Sequence, residues 1–228
     1  MSSGDISLQP RDQKILDHIG RYRMTLRPVL DRLFFADESS GCGNVLKRLI
    51  DAGLVTARDG LPSKRRYYQL TAKGAEGRVP LGRTKPMRAQ SLRSAIAILW
   101  FCTMADSPRK RIESWELRDI LADDMPAGKH CMQPGNPLQL FRVQVPSGRT
   151  KVAGVISGLR DHMKESFAHP VVRRMAKDRR YGFAILAEAE RVPEIRSAVA
   201  KHNLGRYAPI LIESVPSPQT ITRALHDN

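Results

Sequence analysis

The sequence predicts an α+β protein in two parts: a small N-terminal unit of helices with a hairpin, then a C-terminal α/β domain. Three observations lead to this fold class. Apolar residues recur at helical spacing through residues 10–51, two β-type segments flank a turn-rich stretch between 54 and 70, and strand and helix patterns alternate after residue 91. A chain of 228 residues can bury a core in each part. We expect domains at 1–76 and 91–228.

Two helices are predicted before residue 35. The first covers residues 10–19, with Pro10 suited to its first turn and Gly20 expected to end it. The second starts with Thr25 as its N-cap and directs Leu26, Val29, Leu30 and Leu33 to one side. Both helices therefore present an apolar face to a shared core.

The third helix is predicted at residues 43–51. Leu46, Leu49 and Ile50 fall on one side, and Asn44, Lys47, Arg48 and Asp51 fall on the other. Gly53 stands where a helix-ending glycine belongs. The outward face is therefore polar and basic.

A basic hairpin follows this helix. Residues 54–58 and 66–70 read as strands, residues 59–65 as the tip between them, and residues 71–74 as the entry to a short closing helix. Three helices followed by a hairpin are the order of a winged helix-turn-helix, which places its third helix in the DNA major groove and its wing along the backbone. The alternatives are a solvated helix face, a purely structural hairpin, or a surface for protein contacts.

On the DNA-binding interpretation, each exposed polar group has an expected role. Thr25 and Arg27 would anchor a phosphate beside the second helix, and Asn44, Lys47 and Arg48 would approach base edges. The wing would contribute the basic residues Arg58, Lys64, Arg65 and Arg66.

The charge balance favours a polyanionic partner. Lys and Arg number 38 against 23 Asp and Glu, which gives a net charge of +15. Residues 1–88 carry +8 and the remainder +7, so the excess is not confined to one end. Nucleic acid is the commonest partner of such a chain, and a basic protein without one is the alternative.

Other classes of protein are disfavoured. Cys42, Cys102 and Cys131 are scattered, with no zinc-finger spacing, and no G-x-x-x-x-G-K phosphate loop occurs. Neither a signal peptide nor an apolar run long enough to cross a bilayer is visible, so we expect a cytoplasmic protein without cofactor or metal.

Residues 77–90 contain two prolines, two glycines and four basic residues without an acid, which indicates a basic linker. Beyond it we expect helices at 91–104, 152–163, 169–177 and 192–202, strands at 138–145, 181–188 and 209–215, and a loop at 129–137. Residues 111–117 fit either a strand or the start of a helix. Alternating elements of this kind imply a sheet that is at least partly parallel.

The chain resembles the plasmid replication-relaxation family. The likeness rests on residues 11–19 (RDQKILDHI), 44–56 (NVLKRLIDAGLVT) and 67–74 (YYQLTAKG). It covers about the first 75 residues best. The resemblance implies a role in replication or control of a plasmid or other mobile element, with transcriptional regulation as the neighbouring possibility.

The second half is similar to the same family more loosely, which implies a restriction-endonuclease-like α/β domain. Such a domain needs an Asp and, on the next strand, an acid and a Lys two residues on. Residues 134–136 (PGN) and 142–146 (RVQVP) stand there instead. The resemblance therefore implies a scaffold without catalytic residues.

Other candidate sites are weaker. The acids Glu113, Glu116, Asp119, Asp123 and Asp124 could gather a metal ion, although acids near a helix end give the same pattern. Glu188 and Glu190 follow a strand, and Arg173, Arg174, Lys177, Arg179 and Arg180 form a basic run that fits a second DNA face or a solvated helix end.

The sequence therefore predicts a double-stranded DNA-binding protein that is not an enzyme. Two alternatives stay open: a metal-dependent nuclease or relaxase with an atypical site, and a regulator whose C-terminal half binds replication or partition proteins. A homodimer would suit recognition of paired half-sites.

Overall fold

The computed structural model describes residues 8–38, 41–105, 107–122 and 125–225. The chain divides into two compact units, residues 1–95 with 218–228, and residues 96–217. The segment expected to be a linker belongs to the first unit. The amide of Gln69 donates to the carbonyls of Arg83 and Lys85 (3.1 and 3.2 Å), and Val79 packs against the first core. These contacts order a segment whose proline and glycine content indicated a tether.

The first unit begins with three helices, α1 (Pro10–Tyr22), α2 (Arg27–Phe34) and α3 (Gly43–Asp51). Helix α1 runs through Gly20 to Tyr22 and is followed by Arg23, which has left-handed backbone angles, so the predicted end at Gly20 is wrong. Helix α2 has Leu26 at its N-cap rather than Thr25. The predicted bounds of α3 are confirmed.

Strands β1 (Val55–Arg58) and β2 (Tyr67–Leu70) form the predicted antiparallel hairpin, with Val55 opposite Leu70 and Arg58 opposite Tyr67. Thr25 joins the edge of β2: its N–H donates to the carbonyl of Tyr68 (2.9 Å) and its carbonyl accepts in return (3.0 Å). This pairing explains why Thr25 does not cap α2.

Helix α4 (Ala72–Ala75) closes the unit through two linked glycine sites. Gly53 ends α3 with a positive φ of 69°, and the Leu54 N–H donates to the carbonyl of Leu49 (3.0 Å), as in a Schellman stop. The Thr71 hydroxyl donates to the carbonyl of Gly53 (2.5 Å) and accepts from the Gly74 N–H (3.1 Å). A Cβ on Gly74 would lie 2.0 Å from the Leu54 carbonyl oxygen, so this approach requires glycine.

The core of the first unit lies between α1, α2, α3 and the hairpin. Its buried side chains are Ile15, Leu16, Ile19, Leu30, Phe35, Cys42, Val45, Leu46, Leu49, Val55, Leu70 and Ala75. Helix α3 therefore buries its apolar side as predicted. The C-terminal helix α10 (Ile221–Ala224) belongs to this unit, with Ile221 buried.

The division between the units falls within helix α5 (Ala89–Thr103). The second unit then holds β3 (Lys110–Ile112), α6 (Ser114–Leu121), β4 (Lys129–Gln133), β5 (Gln139–Gln144), α7 (Val152–Ala168), α8 (Pro170–Lys177), β6 (Tyr181–Ala187), α9 (Val192–Lys201) and β7 (Ile210–Ser214). The strands lie side by side in chain order. Strands β3, β4 and β5 pair antiparallel, whereas β5, β6 and β7 pair parallel through helical crossovers.

The prediction of a mixed α and β fold with a partly parallel sheet is confirmed. Strands β5, β6 and β7 fall where the sequence predicts them, and β6 is buried at all seven positions. The predicted loop at 129–137 is wrong in its first half, which forms β4. Its backbone pairs on both sides, so it is an interior strand despite a polar sequence.

Among the residues that the structure describes, none of the helices combines the length and apolar character needed to cross a bilayer.

Candidate nucleic-acid interface

The turn between α2 and α3 is fixed by Asp31. One carboxylate oxygen of Asp31 accepts from the N–H of Cys42, the residue before α3, at 2.6 Å, and the other lies 3.8 Å from the Arg27 guanidinium. Burial raises the pKa of the Cys42 thiol to about 12, and the hydrogen bond with Asp31 acts in the same direction. Cys42 is thus an unreactive core thiol, and the start of α3 is tied to α2.

Helix α3 presents three exposed polar side chains, Asn44 and Lys47 in its first turns and Asp51 at its end. Arg27 lies beside the start of this helix, because a Cβ built on Gly43 would be 3.3 Å from its guanidinium nitrogen. An amide, an ammonium group and a guanidinium group are therefore accessible around the first turns of α3. Three of the predicted DNA contacts are free to reach a duplex.

Arg48 has a different role from the predicted one. Its guanidinium donates to both carboxylate oxygens of Asp12 at 2.6 Å, and the Asp12 side chain is fully buried. Asp12 also accepts from the backbone N–H of Gln9 (3.0 Å) at the start of α1. Arg48 thus joins α3 to α1, and we remove it from the set of base contacts.

Thr25 is also placed differently from the prediction. It is fully buried, and its hydroxyl lies 3.0 Å from Nε2 of His18. Burial lowers the pKa of His18 to about 4, with the nearby charge of Arg21 acting in the same direction. A buried hydroxyl cannot anchor a phosphate, so Thr25 is a structural residue between α1 and the hairpin.

The hairpin keeps two of its basic residues, Lys64 and Arg66, exposed. Ser63 and Lys64 both have left-handed backbone angles, and Lys64 is exposed. Arg66 pairs with Asp59 at 3.4 Å, but both side chains are largely exposed and such a pair contributes little. Arg58 and Arg65 are half-buried.

The structure brings Arg27 of α2 together with Arg65 and Arg66 of the hairpin. These three residues line one cavity of about 220 Å³, whose apolar wall includes Leu26, Leu61 and Tyr68. Residues of the C-terminal segment, Ile221, Thr222 and Leu225, line the same cavity. We call Arg27, Asn44, Lys47, Lys64, Arg65 and Arg66 the basic face.

In the second unit, the strand expected to carry catalytic residues carries a buried guanidinium. Arg142 on β5 pairs with Glu165 at 2.6 Å and donates to the hydroxyl of Ser166 at 3.0 Å. Next to it, Nε2 of His130 lies 2.9 Å from the Tyr181 hydroxyl. These side chains satisfy one another, and we read the cluster as a support for the sheet.

The titration properties of this cluster agree with that reading. Burial lowers the pKa of His130 to about 4 and raises that of Tyr181 to about 12, so both are neutral near pH 7. The hydrogen bond from Arg142 lowers the pKa of Glu165. The charges of Glu165 and Arg142 therefore balance, and their neutral neighbours His130 and Tyr181 add no further charge.

Two acids of the acidic stretch in the second unit, Glu113 and Glu116, form the capping box of helix α6. Glu116 accepts from the N–H of Glu113 (2.9 Å) as half of a capping box and pairs with Lys110 at 2.6 Å. Asp123 and Asp124 lie outside the described residues. In the described part of the chain, no group of three or more His, Cys, Asp or Glu side chains could hold a metal ion.

Sequence reasoning missed Asp12 and Asp31, the two acids that position α3. Asp31 stands four residues after Arg27, the spacing of a helical ion pair, which was the available signal. No pattern near Asp12 in the sequence indicates that it pairs with Arg48, 36 residues away.

Comparison with known proteins adds no relative. No protein-family model matches the chain, no curated protein matches its sequence, and no solved structure matches its fold.

Proposed function

We propose that the chain is a sequence-specific double-stranded DNA-binding protein whose first unit is a winged helix-turn-helix. Helix α3 would enter the major groove, and the hairpin would act as the wing. The observation that carries the proposal is the basic face: exposed Asn44 and Lys47 on a helix held in a fixed position, Arg27 beside the start of that helix, and exposed cations at the hairpin tip.

The chemistry of the basic face fits the two tasks of a DNA-binding surface. An Asn amide can pair with the edge of adenine and a Lys with guanine, so Asn44 and Lys47 would supply sequence preference. Arg27, Lys64 and Arg66 would contact phosphates, which fixes orientation without reading sequence. Asp31 and the pair between Asp12 and Arg48 would hold α3 at a defined angle, and positioning of this kind favours specificity.

The resemblance described above supports a role in replication or regulation of a plasmid or mobile element. The order of strands in the second unit, one antiparallel hairpin followed by parallel strands with helical crossovers, is compatible with the scaffold that this resemblance implies. We propose that this unit does not cleave DNA, because the guanidinium of Arg142 lies buried on the strand where a metal-binding acid would be needed.

Selection of bound sequences from a random duplex pool tests the proposal. We expect enrichment of a defined site, and we expect Asn44→Ala with Lys47→Ala to weaken binding to that site at least about tenfold more than binding to unrelated duplex. Lys201→Ala, an exposed lysine on α9, is the control and should change neither affinity. Failure to enrich any site would contradict the proposal.

The proposed lack of cleavage has its own test. The protein is incubated with supercoiled plasmid and Mg²⁺ or Mn²⁺, and we expect the plasmid to stay intact. Nicking that disappears in the Glu116→Gln or Glu188→Gln variant would show an active nuclease or relaxase.

A further inference from the structure

The second unit contains a cavity of about 420 Å³ that the proposed duplex interface does not use. Helix α7 forms one wall and the turn after α9 forms the other. Its lining residues are Arg160, Met163, Phe167, His202, Leu204, Arg206 and Tyr207. On α7, Arg160, Met163 and Phe167 are spaced at i, i+3 and i+7, so they lie on one helical face.

The two walls combine an apolar floor with a basic and aromatic rim. Met163 and Leu204 are buried, and Phe167 packs its edge against Phe183 of the core, with 6.0 Å between ring centroids. Tyr207 is 47% exposed, so its ring is accessible at the rim. The rim residues Arg160, His202 and Arg206 are exposed.

The charge of the cavity selects an anionic ligand. No acidic residue lines it, and neither Arg160 nor Arg206 forms an ion pair with any residue in the described ranges. Arg206 stacks its guanidinium over the ring of Tyr207, with the guanidinium carbon 4.5 Å from the ring centroid, and donates one hydrogen bond to its hydroxyl. The other guanidinium donors of Arg206 remain available for a phosphate.

We propose that this cavity binds one nucleotide of an unpaired nucleic-acid strand. The base would stack on the aromatic side chains Phe167 and Tyr207, and Arg160 and Arg206 would hold the adjoining phosphates. Stacking platforms with guanidinium groups beside them are the common means of binding single strands without a fixed sequence.

Single-strand binding at the cavity does not depend on duplex binding by the basic face, because the cavity lies in the second unit and the basic face in the first. A protein with both surfaces could hold a duplex site and the strand separated from it. That combination suits the opening of DNA. Loss of duplex binding would leave binding at the single-strand site unchanged.

The test measures fluorescence anisotropy of a labelled oligothymidylate of about eight nucleotides with the full chain. We expect Tyr207→Ala to weaken binding about 5-fold to 100-fold, as loss of one stacked base does, and Tyr207→Phe to retain affinity. Arg160→Ala with Arg206→Ala should weaken binding at least about tenfold. All three variants change exposed side chains, so the fold should be kept, and circular dichroism checks this.

Arg149→Ala with Lys151→Ala is the matched control, because it removes two exposed cations outside the cavity. We expect a change of less than about twofold. Thymidine monophosphate should compete better than inorganic phosphate. Equal losses in the two double variants, or unchanged binding by Tyr207→Ala, would overturn the proposal and indicate attraction by net charge alone.

Discussion

Arg48 and Asp12 join the third helix to the first through two hydrogen bonds of 2.6 Å, although the sequence places Arg48 on the outward face of its helix. Asp12 is fully buried, whereas the Arg48 side chain is 39% exposed. The guanidinium therefore reaches back over the surface to neutralise a carboxylate within the unit. Arg48, a basic residue of α3, is thus a structural one.

Asp12→Asn should destabilise the first unit. The substitution leaves the Arg48 guanidinium without its counter-charge and weakens the capping box of α1, so we expect a loss of about 1–3 kcal/mol in the free energy of unfolding. Urea denaturation measures this. Asp17→Asn, which removes a partner of Arg78 that is mostly exposed, should cost less than about 0.5 kcal/mol. Equal effects of the two variants would contradict a special role for Asp12.

Lys64→Ala with Arg66→Ala should weaken binding to every duplex and reduce its dependence on salt. Each lost phosphate contact lowers the slope of log K against log salt concentration by about 0.9, so the double variant should lose close to two units of slope. Titrations at several salt concentrations measure it. Adding Arg65→Ala to the double variant should lower the slope by less than the loss of Lys64 or Arg66 does, because Arg65 is half-buried. An unchanged slope would exclude the hairpin tip from the interface.

Stability should fall as the pH drops from about 6.5 to 4, because two histidines are buried in neutral form. The pKa of both His18 and His130 is lowered from 6.5 to about 4, so the unfolded chain takes up protons first. Their contribution is complete above pH 6.5 and is lost towards pH 4, roughly 3 kcal/mol for each histidine.

Urea denaturation between pH 7 and 5 isolates this effect, since most carboxylates titrate at lower pH. His18→Gln keeps a side chain able to bond to Thr25 and removes one titrating group, so its stability should depend less on pH in this window. A pH dependence equal to that of the parent protein would contradict the burial of neutral His18.

Gly74→Ala should be strongly destabilising. The new methyl group would lie 2.0 Å from the Leu54 carbonyl oxygen. The backbone fixes the position of a Cβ atom and of a carbonyl oxygen alike, so no side-chain rotation can relieve the clash. We expect a loss of at least about 2 kcal/mol. Gly82→Ala, with no atom within 4 Å of its Cβ, is the control and should have little effect. Thermal denaturation of the two variants compares them.

Local patterns in the sequence predict much of the first unit. The bounds of α3, the Gly53 stop and the hairpin depend on spacing and turn chemistry within a few residues, and the structure confirms them. Thr25 and Arg48 depend on partners far along the chain, Tyr68 and Asp12. Helical periodicity does not reveal such distant pairs. The sequence therefore predicted Thr25 and Arg48 as DNA contacts, whereas the structure buries Thr25 and pairs Arg48 with Asp12.

The second unit shows the same limit. Strand β6 is apolar throughout and is recognisable alone, whereas β4 (Lys129–Gln133) is polar and becomes a strand because neighbours pair with both of its edges. Arg142 is buried on β5 although it carries a charge. Its partners Glu165 and Ser166 come from α7, which only the packed sheet brings near.

Helix α3 is attached at both ends, by Asp31 at its start and by the Thr71 hydroxyl on the Gly53 carbonyl at its end. Neither attachment uses the side chains of Asn44 or Lys47. Substitutions at these two positions are thus nearly uncoupled from folding. On the proposed function, a lineage carrying this unit would acquire new target sequences through one or two codon changes while the stability of the protein stays almost constant.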